Sequence, residues 1–147
     1  MKIWIGGEID GAVDEAFREA RSPLQRLLAA RLVNEDYGPA LTEIGFTPIL
    51  LGGAFDGLYP ERRLFQRKQA ACDYRTELSY VAFRDGTVEK RQAMLLRGLV
   101  EAIEDVYRKA RAGFDAPRLV ADILAATRHT RESLGVPPPR PHRRRTA

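Results

Sequence analysis

Between Thr87 and Gly113 the chain carries an apolar stripe, Val88, Leu95, Leu96, Leu99, Ile103, Val106 and Tyr107, at spacings that only an α-helix gathers onto one side. Thr87 can cap its start and Gly113 stops it. A long helix with one apolar side must bury that side against another layer. The matching surface lies just upstream. From Cys72 to Tyr80 the residues alternate, Cys72, Tyr74, Thr76, Leu78 and Tyr80 against Asp73, Arg75, Glu77 and Ser79. This is a strand with one face for a core and the other for water or a partner.

The remaining elements follow from the same periodicities. Lys2 to Ile9 reads as a first strand, with Ile3 and Ile5 on one face and Lys2, Trp4 and Glu8 on the other. Asp10 is placed to cap a helix with the stripe Val13, Phe17, Ala20, Leu24, Leu27 and Leu28. Ser22-Pro23 should kink that helix or divide it in two. After a loop at Asn34 to Pro39, residues 41–51 are extended, with Pro48 suited to an edge strand or a strand end. A glycine-rich connection at Gly52 to Gly57 leads to a strand from Arg62 to Gln69. Asp85-Gly86 is a turn, and Asp115 with Pro117 opens a last helix carrying Leu119, Val120, Ile123, Leu124 and Thr127. The order strand, helix, three strands, two helices predicts an α+β fold: a mostly antiparallel sheet of about four strands with helices packed on one face. The domain spans 1–134, and the Pro/Arg-rich segment 135–147 is expected to be a flexible tail.

A chain of 147 residues suits a single core. Its 24 basic residues outnumber 20 acidic ones, yet Arg140, Arg143, Arg144 and Arg145 lie in the acid-free tail, so 1–134 is formally neutral. The basic excess therefore does not point to nucleic acid. The single cysteine cannot form an intrachain disulfide, and Gly6-Gly7 interrupts the start before a signal-peptide core could form. With no apolar run near the ~20 residues of a membrane span, a cytoplasmic location away from membranes is expected.

Catalytic hardware is sparse. The only histidines, His129 and His142, fall at or beyond the last helix, and Cys72 sits on the apolar side of its strand. No Cys or His pair has metal-ligand spacing, and no cofactor motif is present. Gly6-Gly7 could be a phosphate loop with Glu8 or Asp10 as reactive carboxylate, the core of a small nucleotide- or nucleoside-processing enzyme. A tight strand exit explains the same glycines. Arg62, Arg63, Arg67 and Lys68 around Phe65 form a basic aromatic strip that could meet nucleic acid, or simply discourage edge pairing. The face of the sheet away from the helices would collect Trp4, Glu8, Asp73, Arg75 and Glu77. If that face is open, an indole among fixed charges has the composition of a protein-binding hot spot. If it is covered, Trp4 packs under the loop at 52–60, and Glu8 pairs with Arg75 at the surface to little energetic effect.

The run Lys2-Ile3-Trp4-Ile5-Gly6-Gly7-Glu8-Ile9 and the run Asp73-Tyr74-Arg75-Thr76-Glu77-Leu78-Ser79-Tyr80, followed by Phe83 and the leucine-rich helix to Tyr107, resemble the immunity proteins of bacterial polymorphic toxin systems, in particular immunity protein 44. The resemblance covers most of residues 1–127. It implies an α+β protein that binds and neutralises a cognate toxin stoichiometrically, with no chemistry of its own. Trp4, Glu8, Asp73, Arg75 and Tyr80 are then the candidate partner-binding residues. The sequence does not indicate an oligomeric state.

Overall fold

The computed structural model describes residues 1–52, 70–109 and 113–138, together with the backbone of 62–68. Asp10 caps a short 3-10 turn, its Oδ1 accepting from the Ala12 amide at 2.9 Å, and the turn runs into helix α1 (Asp14–Leu32). Ser22-Pro23 does not divide α1, which is continuous. It buries Phe17, Ala20, Leu24, Leu28 and Leu32, while Leu27, expected on the same side, is 43% exposed.

The expected first strand is two short ones, β1 (Lys2–Ile5) and β2 (Glu8–Ile9), separated by Gly6-Gly7. Both pair in parallel with β3 (Glu43–Leu50). Pro48 thus lies in an interior strand, contrary to the edge or strand-end position expected. Its missing amide is tolerated because the register Ile5↔Phe46 and Glu8↔Ile49 places it opposite the break between β1 and β2, where the ladder is already interrupted.

Strand β4 (Arg62–Lys68) pairs antiparallel with β5 (Ala71–Glu77), and β5 pairs in parallel with β3. The order is β1-β3-β5-β4, with β2 continuing the β1 edge. The sheet is therefore mostly parallel, which overturns the antiparallel sheet expected from the order of elements. The reason is the connection through α1. Returning along a helix brings the next strand back in the same direction, whereas an antiparallel neighbour needs only a tight turn, here the link between β4 and β5.

Strand β5 also ends earlier than its alternation suggests. The Ser79 hydroxyl accepts from the Ala82 amide at 3.2 Å and starts helix α2 (Tyr80–Asp85), so Tyr80 belongs to a helix. The Lys90 amide donates to Thr87 Oγ1, capping α3 (Val88–Lys109). Asp115 caps α4 (Ala116–Thr127), and a Thr130 capping box opens the short α5 (Arg131–Leu134). Val136 is buried and its amide donates to the Arg131 carbonyl, so the chain is still packed two residues past α5. The glycine-rich connection at 53–57, the side chains of the Arg62 to Lys68 strip and the tail from 139, with its arginines and His142, lie outside the described residues.

Ile3, Ile5, Ile44, Phe46, Cys72 and Tyr74 share one core with α1, α3 and α4. A polar tie joins the sheet to α3 through it. The Tyr74 hydroxyl donates to Asp105 of α3 at 2.7 Å, and Arg108 and Lys109 complete the carboxylate's contacts at 3.0 and 3.2 Å. Burial raises the Asp105 pKa, but the hydrogen bonds from Tyr74, Arg108 and Lys109 outweigh it and hold the carboxyl below its ordinary 3.8. A depressed folded-state pKa adds stability that is present above the unfolded value and lost as pH falls through the folded one. Acid denaturation monitored by circular dichroism should therefore steepen below about pH 4. Asp105→Asn should lower stability at neutral pH and flatten that acid limb.

Candidate protein-binding face

On the side of the sheet away from α1, α3 and α4, register places Trp4, Gly45 and Asp73 in one row across β1, β3 and β5. Alternation puts Trp4 here because Ile3 and Ile5 occupy the core face. The residue is 53% exposed. Of the two arrangements the sequence allowed, the open one fits this exposure and the Glu8–Arg75 pair of the other is also present, while the loop at 53–60 lies outside the described residues.

The floor beside the indole is low because it is built of glycine. A Cβ on Gly45 would stand 2.2 Å from Asp73 Oδ1, so the Asp73 carboxylate lies directly over Gly45. A Cβ on Gly6 would stand 3.4 Å from Thr47 Oγ1 and 3.8 Å from Trp4 Nε1, so the indole leans along its strand toward Gly6. Glu8 of β2 and Arg75 of β5 form an ion pair across β3. Beneath this end of the strip Ile49 is buried, and Lys2 meets Glu43 at 4.0 Å at the opposite end. Half-exposed ion pairs of this kind hold side chains in place more than they stabilise the fold.

Four of the five residues singled out from the sequence, Trp4, Glu8, Asp73 and Arg75, thus share one strip. Tyr80 does not join it. It lies on α2, beyond the C-terminal end of β3, with its ring against Gly52, where an added Cβ would be 2.9 Å away, and with the Arg84 guanidinium 5.9 Å from its centroid. Two contributors escaped the sequence reading. Gly45 carried a legible signal, since glycine inside a strand marks a close approach. Arg21 carried none. It reaches the strip from α1, with its Cζ 5.5 Å from the Trp4 centroid.

The residues of the enzyme alternative also have structural work. A Cβ on Gly7 would collide at 2.8 Å with Phe17 and Ile9, so this glycine makes room for core packing. Asp10 is engaged as a cap. Cys72 is buried in the core, while His129 is half-buried beside Ser133. A groove of about 230 Å³ opens among Pro23, Leu24, Leu27, Gln92, Leu96, Thr127 and His129 and contains no carboxylate. Among the described residues no group of three or more His, Cys, Asp or Glu could hold a metal ion, and no helix is long and apolar enough to cross a membrane.

The family profile of immunity protein 44 matches residues 1–128. The chain belongs to the immunity protein 44 family. The match takes in the whole sheet and α1 to α4, so every residue of the exposed strip lies inside the immunity protein 44 region. Comparison with curated proteins and with solved structures returns no match.

Proposed function

We propose that this protein acts in the cytoplasm as the stoichiometric inhibitor of a cognate bacterial toxin, which it binds through the open face of its sheet without catalysing a reaction. The observation that carries this reading is the exposure of Trp4 on a preformed strip. A large aromatic side chain left half in water on the edge strand of a rigid sheet, flanked by charges already fixed by partners, is what a protein interface uses as an anchor. The strip runs from Lys2 and Trp4 of β1 through Gly6 to Glu8 of β2 and across to β5, a scale compatible with the roughly 800 Å² that each partner contributes to a standard interface. Membership of an immunity protein family supports a toxin as the partner.

The test is a titration of the toxin encoded beside this gene with the purified protein. Toxin activity should fall linearly to an end point at equimolar protein, and size-exclusion chromatography should show a complex containing both chains. Inactivation by far less than one equivalent would mean turnover and favour an enzyme. Full toxin activity in the presence of excess protein would remove the reading.

A further inference from the structure

β1 is an edge strand, and the backbone groups on its outer side would ordinarily be free to pair with another chain. Here α1 supplies them with side-chain partners. The Ile5 amide donates to Gln25 Oε1 at 2.7 Å, Gln25 Nε2 donates to the Ile3 carbonyl at 2.7 Å, and Arg21 Nε donates to the Ile5 carbonyl at 2.6 Å. Gln25 therefore imitates a neighbouring strand, one amide group serving a donor and an acceptor two residues apart. Arg21 and Gln25 are one helical turn apart, which lets both reach the same edge. An extended segment of a partner cannot add to β1 without displacing them.

Arg21 does a second thing. While its Nε is held by the Ile5 carbonyl, its guanidinium carbon stands 5.5 Å from the centre of the Trp4 ring, within the range of a cation–π contact. The backbone hydrogen bond fixes where the guanidinium sits, and the guanidinium borders one side of the indole. A Cβ on Gly6 would stand 3.8 Å from Trp4 Nε1, so the indole nitrogen lies within contact range of Gly6.

We infer that Arg21 is a positioning residue for Trp4, holding the indole in its binding orientation, and that the partner-binding surface continues from the sheet face round the β1 edge onto α1. The consequence for binding rests on the toxin-inhibitor reading, whereas the positioning itself does not. An anchor whose rotamer is settled before the encounter loses less freedom on binding, so Arg21 raises affinity through Trp4. Because Gln25 holds the edge independently, β1 stays in place when Arg21 is replaced.

Trp4 is the single tryptophan of the chain, so fluorescence excited at the red edge of the indole band, where the five tyrosines do not absorb, reports on it alone. In the free protein, Arg21→Met should increase acrylamide quenching about twofold and speed the local depolarisation of the indole, with the far-UV circular dichroism unchanged. Arg21→Lys, which keeps the charge and loses the planar fork, should fall between Met and wild type. With the toxin, Arg21→Met should weaken binding about tenfold, close to 1.4 kcal/mol. Unchanged quenching and depolarisation in both variants would overturn the positioning role and leave the inhibitor reading standing. A loosened indole with unchanged toxin affinity would support the positioning role while removing Trp4 from the interface.

Discussion

Replacing Phe46 by alanine is expected to cost about 3–5 kcal/mol of stability, the largest effect of any single truncation discussed for this molecule. Phe46 is fully buried at the middle of β3, between Ile5 of β1 and Tyr74 of β5 in register, and its ring faces α3. The contact on the helix side is unusually close. A Cβ on Gly98 would stand 2.5 Å from Phe46 Cζ, so the ring end rests against the bare backbone of the helix. Glycine in a helix interior is unfavourable by about 1 kcal/mol relative to alanine. Here it admits the ring. Gly98→Ala should consequently destabilise the protein, since a packed ring must shift, at about 1–3 kcal/mol, against the helix-propensity gain. In a Phe46→Ala background the same substitution should turn stabilising, because the obstructing ring is gone and the propensity term remains. Urea denaturation of the two single variants and the double variant measures all three effects. Gly98→Ala proving stabilising in the wild-type background would mean that the ring is not seated against the helix.

The second large effect concerns binding. Trp4→Ala should lower toxin affinity by about 2–4 kcal/mol, the range of an interface anchor, which corresponds to roughly 30-fold to 1,000-fold at 1.4 kcal/mol per decade. The fold should survive it. With half its surface in water and its side chain on the face away from the core, the indole contributes little to the packing that holds β1. Cells coexpressing the toxin with the Trp4→Ala protein should lose protection, while the purified variant keeps its far-UV circular dichroism and unfolds within about 1 kcal/mol of wild type. A fully protective Trp4→Ala variant with unchanged toxin affinity would take the indole out of the interface. Asp73→Ala is a useful companion because Asp73 shares the row of Trp4 but lies over Gly45.

Much of the fold was legible locally. The stripe from Leu95 to Tyr107, the Thr87 and Asp115 caps and the alternation about Trp4 and Asp73 appear as read, because capping and side-chain facing depend on residues only a few positions apart. Asp10 caps the 3-10 turn that leads into α1 rather than α1 itself. The limits of that locality are equally specific. Tyr80 continues the alternation of β5, yet Ser79 caps a helix there, since a two-residue period cannot report where a strand stops. Pro48 suggested an edge until its gap met the Gly6-Gly7 break on the neighbouring strand.

The candidate site divides along the same line. That Trp4 and Glu8 face one way and Ile3 and Ile5 the other was settled by the amino-acid order, because a pleated strand sends successive side chains to opposite sides whatever it pairs with. That Trp4 stands in one row with Gly45 and Asp73, that Glu8 reaches Arg75 and that Arg21 reaches the indole was decided by assembly. Alternation is identical in parallel and antiparallel strands, so direction and register came from closing α1 over the sheet and burying Phe46 beneath α3, contacts between residues far apart in the chain.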